Sequence, residues 1–165
     1  MYWYFIYDRL NNKEKIIHYF NQQSKTKAFV PMIEKWFGCK SIRNYITKEL
    51  YPHYILVQSN LDENEFLEKH KEFLKNIDTI ANLLQQGDIH KMSKSEQEVY
   101  EKVFNQHETI YHSTGNLVNS KLIVEQGPLK GLEDYVGKIN RHKRDCFFIL
   151  NGIQIKMPLE VISKS

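Results

Sequence analysis

Seven histidines, two cysteines and 20 Asp and Glu residues are the side chains with which this chain could hold a metal or move protons, and their spacing favours neither. No histidine pair has the His-x-x-x-His spacing that puts two imidazoles on one helical face. His107 and His112 fall among Asn, Gln, Ser, Thr and Gly, where solvated imidazoles are expected. Cys39 and Cys146 stand far apart with no Cys-x-x-Cys pair, which supports neither a disulfide framework nor a thiolate metal site and fits a reducing cytoplasm. There is no Gly-x-Ser-x-Gly elbow, no glycine loop to cradle a phosphate, no pair of carboxylates in a recognisable setting and no Cys-His signature. The sequence therefore reads as that of a binding protein and not an enzyme, with no metal and no cofactor.

The chemistry it does offer is cationic. Lys138-Ile139-Asn140-Arg141-His142-Lys143-Arg144 holds four Lys or Arg and no acid, and residues 121 to 165 carry 8 Lys and Arg against 5 Asp and Glu, whereas residues 1 to 120 carry 15 against 15. A basic turn of this kind neutralises phosphates, and arginine adds stacking and forked hydrogen bonds. The candidates for RNA contact are Lys130, Lys138, Arg141, His142, Lys143 and Arg144; the plain alternative is a solvated charged loop.

These residues need elements to position them. Tyr2 to Tyr7 is a short aromatic and β-branched run closed by Asp8, which reads as a buried strand and is too short and too weakly flanked for a signal sequence or membrane span. Asn11-x-x-Glu14 has the form of a capping box ahead of Ile16, Ile17 and Phe20, giving a helix from about Asn12 to Gln23. Ala28 to Ile33 and Tyr54 to Gln58 read as strands, with Pro31 marking an edge or a bulge, and Glu34 to Leu50 as a projecting hairpin or loop. Asp62-x-x-Glu65 opens a second amphipathic helix with Phe66, Leu67, Phe73, Leu74 and Ile77 inward. Ile77 to Leu84 is a further strand or the end of that helix. A third helix begins at Ser93 or Ser95 and turns Val99, Val103 and Phe104 inward. The order β-α-β-β-α-β plus a trailing helix is that of an α+β sandwich of the ferredoxin-like kind.

Asn105 to Ser120 is polar and poor in core-forming residues, so residues 105 to 119 are expected to be a flexible linker between a domain of residues 1 to 104 and one of residues 120 to 165. The last 45 residues alternate short β-rich runs with turns at Gly127-Pro128, Lys130-Gly131 and Asn151-Gly152, which predicts a small five-stranded barrel; Asn-Gly between apolar runs is a strong hairpin signal.

Gly127-Pro128-Leu129-Lys130-Gly131-Leu132, Val136 to Lys138 and Arg141 to Arg144 together resemble the KOW motif of the NusG and RfaH family. The aromatic opening strand, Phe29-Val30-Pro31-Met32 and Tyr51-Pro52-His53-Tyr54-Ile55-Leu56-Val57 resemble its N-terminal domain in the same order. The string from Gly127 to Arg144 looks most like the LoaP-type antiterminators. The resemblance implies a ferredoxin-like N-terminal domain followed by an SH3-like KOW barrel, in a monomeric, cytoplasmic elongation factor. It also implies that Tyr7, Tyr54 and Leu56 grip the clamp helices of the largest RNA polymerase subunit; the plain alternative is that the rings of Tyr7 and Tyr54 simply fill the core. The barrel would meet nascent RNA, a hairpin among the options, and Arg9, Lys13 and Lys15 would face non-template DNA. Three departures bear on these expectations. Asp134 stands where the motif usually has glycine; Leu150-Asn151-Gly152-Ile153 replaces the Phe-Gly-Arg stretch linked to ribosome and Rho contact; and Glu65 to His70 lacks a His-Thr-Thr run.

Overall fold

The computed structural model describes residues 1–9, 11–76 and 88–165. In chain order its elements are β1 (Tyr2–Tyr7), α1 (Lys13–Asn21), β2 (Thr26–Phe29), β3 (Met32–Gly38), β4 (Arg43–Glu49), β5 (Tyr54–Ser59), α2 (Glu63–Asn76), β6 (Ile89–Lys91), α3 (Lys94–Phe104), β7 (Thr109–Ile110), β8 (Ser113–Val118), β9 (Lys121–Gln126), a 3-10 turn (Glu133–Tyr135), β10 (Val136–Asn140), β11 (Asp145–Leu150) and β12 (Ile153–Lys164). They form two compact units, one of Met1–Pro31 with Tyr51–Gln97 and one of Met32–Leu50 with Glu98–Ser165.

The first unit carries an antiparallel sheet of order β2-β5-β1-β6, with α1 between β1 and β2 and α2 between β5 and β6. This is the expected β-α-β-β-α-β arrangement, but its fourth described strand is β6; the strand or helix end expected at Ile77 to Leu84 lies outside the described residues. Side chains alternate across a strand, so Tyr4 and Ile6 of β1, Ile55 and Val57 of β5 and Ala28 of β2 share one face. They pack there with Ile16 and Phe20 of α1 and Phe66 and Leu74 of α2. Tyr4 stacks on Phe66 at 4.1 Å and satisfies its hydroxyl by donating to the Leu61 carbonyl at 2.7 Å, as a buried phenol must.

Helix starts follow the sequence in two places out of three. Asp62 Oδ1 accepts the Glu65 N–H at 3.0 Å, and at α3 Ser93 and Glu96 cap each other reciprocally, at 3.2 and 2.8 Å. At α1 the Asn11-x-x-Glu14 box does not form. Asn11 is left-handed (φ 61°), and Asp8 reaches over it to accept the Asn12 N–H at 2.8 Å, so the helix runs only from Lys13 to Asn21.

In the second unit β3 and β4 form a regular hairpin from Met32↔Glu49 to Gly38↔Arg43, with β7 parallel to the base of β3. Pro31 precedes β3 and is not within a strand. A separate five-stranded sheet has the order β10-β11-β12-β8-β9. Its long strand β12 runs antiparallel to β11 over Ile153–Pro158 and parallel to β8 beyond. Asn151 and Gly152 both take positive φ (53° and 78°), the two-residue turn expected of Asn-Gly.

Residues 113 to 118, read as linker, are β8, hydrogen-bonded to β9 on one side and β12 on the other, and residues 109–110 are β7. The inward positions of β8 are Ser113 and Gly115, both buried, so the strand has the period of two without its apolar signature. The small residues are required: a Cβ at Gly115 would lie 2.5 Å from the Ile123 carbonyl oxygen. At Asp134 the turn itself differs from the glycine pattern, since Asp134 lies in the 3-10 turn and not at positive φ.

Candidate functional site

On β1 and β5 the register pairs Tyr7 with Tyr54, with ring centroids 5.2 Å apart, and the alternation puts both, together with Leu56, on the sheet face opposite α1 and α2. Phe5 adds an edge contact to Tyr54 at 5.9 Å. The structure therefore brings the three expected anchors onto one face, but unequally: Tyr7 and Tyr54 are half-buried, and Leu56 has no exposed surface. Leu56 can support a surface contact from beneath and cannot itself be the contact in this conformation.

Arg9 differs from Lys13 and Lys15 in its surroundings. The Arg9 guanidinium donates to Asp88 at 2.7 Å, a hydrogen bond and ion pair that raise its already high pKa, and it lies 5.7 Å from the Tyr7 ring centroid. Lys13 and Lys15 line a shallow concavity at the start of α1 with Asn11, Asn12 and Glu14.

The turn between β10 and β11 presents Arg141, His142 and Lys143 to solvent, held by the Asn140 side chain, which accepts the Lys143 N–H at 2.9 Å. Arg144 departs from the expected set. Its positive φ (51°) sends the side chain elsewhere, to a 3.0 Å ion pair with Glu160 and a position 3.7 Å over the Trp36 ring. Trp36 meets Tyr45 edge-on at 5.2 Å, and Tyr45 stacks on His112 at 3.9 Å. Glu34 accepts from the His112 backbone N–H at 2.7 Å and from its Nδ1 at 2.9 Å; a carboxylate can only accept, so Nδ1 carries the proton. Burial, helped by Glu160, raises the Tyr45 phenol against the pull of Arg144. Arg144 is thus a packing residue of this unit. Lys130 and Lys138 are exposed, and neither lines the groove beside the turn.

That groove is what the sequence reading missed. A concavity of about 850 Å³ lies between the basic turn and the tip of the β3-β4 hairpin, with Lys35, Lys40 and Arg43 on the hairpin side and Lys156 on β12. Seven Lys or Arg line it against a single acid, Asp145, which pairs with Lys156 at 3.4 Å. The hairpin cations are spaced singly among Trp, Phe, Gly and Asn, so no run in the sequence marks them.

Among the described residues no three His, Cys, Asp or Glu side chains are grouped to hold a metal, and no helix is long and apolar enough to cross a membrane. Cys39 is exposed; Cys146 is buried, which pushes its thiol up to about 12.

Fold and surface define a mixed α/β protein with an aromatic face in its first unit and cationic surface in its second. A family model described as "Transcription termination factor nusG" matches residues 1–106, and the chain belongs to the NusG family. Membership ties it to transcription at that coarse level. No curated protein matches the chain.

Proposed function

We propose that the chain is a transcription elongation and antitermination factor, binding RNA polymerase through residues 1 to 104 and contacting nascent RNA through its C-terminal KOW module. The observation that carries this reading is the family match over residues 1–106 together with the adjacent, half-buried rings of Tyr7 and Tyr54 on the sheet. A helix pair such as the polymerase clamp docks on an apolar groove in which aromatic anchors dominate the affinity. Binding more tightly to the closed clamp than to the open one shifts the population towards closure and suppresses pausing. The factor acts as a cytoplasmic monomer without catalytic chemistry of its own.

The LoaP-type assignment within the family rests on the Gly127 to Arg144 string, and two of its glycines have a physical reason. Gly127 and Gly131 both take positive φ (104° and 83°), and the turn between them buries Leu129, whose N–H donates to the Ser113 hydroxyl at 3.1 Å. Leu150-Asn151-Gly152-Ile153 forms the tight hairpin turn of β11 and β12, which gives no support to ribosome coupling as the main role. Non-template DNA contact is assigned to the surface of Arg9, Lys13 and Lys15, of which Arg9 also pairs with Asp88.

In vitro transcription through an intrinsic terminator with purified polymerase tests the proposal. The expected result is increased readthrough and retention of the protein on the elongation complex; unchanged readthrough with no retention overturns it.

A further inference from the structure

We propose that the tip of the β3-β4 hairpin and the β10-β11 turn are two walls of one RNA-binding groove, which takes a single-stranded segment of RNA. The inference rests on the reading of the C-terminal module as an RNA contact and adds to it a second wall contributed by residues of the N-terminal half of the sequence.

Three observations carry it. The first is charge: Lys35, Lys40 and Arg43 on one side and Arg141 and Lys143 on the other make no ion pair among the described residues, so five cations around one concavity are left without protein counter-charge. Like charges gathered this way repel one another, and a polyanion that displaces their counterions relieves that repulsion. The second is the ring surface. Phe37 lines the groove 44% exposed, an apolar face beside phosphate-binding groups, which is the combination that stacks bases of a single strand. The third is support. Arg144 is clamped between Trp36 of the hairpin and Glu160 of β12, so one side chain ties the two walls together while its neighbours Arg141 and Lys143 stay free. A concavity of about 850 Å³ is of cleft size (~300–1,000 Å³) and suits a few unpaired nucleotides rather than a duplex, which would have to rest on the rims.

The test uses the full chain and a short unstructured RNA carrying a fluorescent end label, titrated at several salt concentrations. Lys40→Glu with Arg43→Glu should weaken binding at least tenfold, as should Arg141→Glu with Lys143→Glu. Each pair should reduce the magnitude of the slope of log affinity against log salt by roughly 1.4, two contacts at ~0.7 each for a single strand. If the turn pair weakens binding and the hairpin pair binds like the unaltered chain, the shared groove is overturned while RNA contact by the turn stands. No binding by the unaltered chain at low salt overturns both. Single-stranded DNA of the same sequence bound as tightly as the RNA overturns the assignment to RNA. Because charge reversals can disturb folding, 4-thiouridine-substituted RNA should also be photocrosslinked to the unaltered chain. Adducts in both residues 35–43 and residues 141–156 support the groove, and adducts confined to one segment or lying elsewhere overturn it.

Discussion

Gly127 concentrates in one residue what the sequence motif encodes. Its φ of 104° is open only to glycine, and a Cβ there would lie 2.5 Å from the Ser113 Oγ and 2.6 Å from the Ser113 Cα, so Gly127→Ala combines backbone strain with a clash against main chain. The expected cost is about 3 kcal/mol or more. Gly131→Ala has positive φ but open space, and should cost only about 1 kcal/mol. Denaturant melts of the two variants check the contrast. His70 gives a second test at this scale. It is fully buried among Phe20, Phe66 and Tyr19, bonds the Tyr19 hydroxyl through Nδ1 at 2.9 Å, and has its pKa lowered to about 4 by burial, with Lys69 adding to the effect. The unfolded imidazole takes its proton near the ordinary value of 6.5, the folded one only near 4. Between these values the unfolded state binds more protons, so stability is full above pH ~6.5 and falls as pH drops towards 4, by roughly 3 kcal/mol in all. An NMR titration should find the His70 ring neutral at pH 5, and His70→Leu should flatten that part of the stability profile.

Elements show where sequence patterns carry structural information and where they lose it. Polar composition from Asn105 to Ser120 suggests a segment open to proteases, yet β8 is hydrogen-bonded on both sides and has Ser113 fully buried. Backbone must leave its sheet to be cut, so proteinase K should cleave the exposed turn at residues 141 to 143 before any bond within residues 113 to 118. Peptide mapping of the first fragments checks this order. The contrast explains what was legible. β1 and β5 announce themselves through aromatic and β-branched runs, the α2 and α3 starts through side-chain capping, reciprocal at α3, and the β11-β12 turn through Asn-Gly, all of which are local rules. β8 was hidden because close packing selects Ser and Gly where periodicity looks for apolar residues. The α1 start departs from the expected box because Asp8, outside it, takes the Asn12 N–H. Within the site, the pairing of Tyr7 with Tyr54 follows from strand register, whereas the removal of Arg144 from the basic turn depends on one left-handed residue and on Glu160 and Trp36, distant in sequence.

At the scale of the whole molecule the charge divides with the compact units. The unit of Met32–Leu50 and Glu98–Ser165 holds 13 Lys and Arg against 10 Asp and Glu, and the other unit 10 against 10, so the formal net charge of +3 belongs entirely to the unit that contains the basic turn. The hairpin falls in that unit too, which argues against testing polymerase binding with residues 1 to 104 alone: the cut would leave Trp36 without Arg144 and Tyr45 without His112. The separation of roles is better tested by crossed variants of the full chain. Tyr7→Ala with Tyr54→Ala should weaken polymerase binding by about 30-fold or more, the equivalent of ~2 kcal/mol for lost aromatic anchors, and leave RNA affinity and its salt slope unchanged. Arg141→Glu with Lys143→Glu should do the reverse, because both side chains are exposed and lie on the other unit. Antitermination needs both contacts at once, since the RNA contact acts only while the protein rides on polymerase, so each double variant alone should return readthrough to the level without the factor. Filter binding, polymerase pull-down and terminator readthrough on the unaltered chain and the two double variants decide the matter. Loss of polymerase binding in the charge-reversal variant, or full readthrough in either, would show that the two faces do not divide the work in this way.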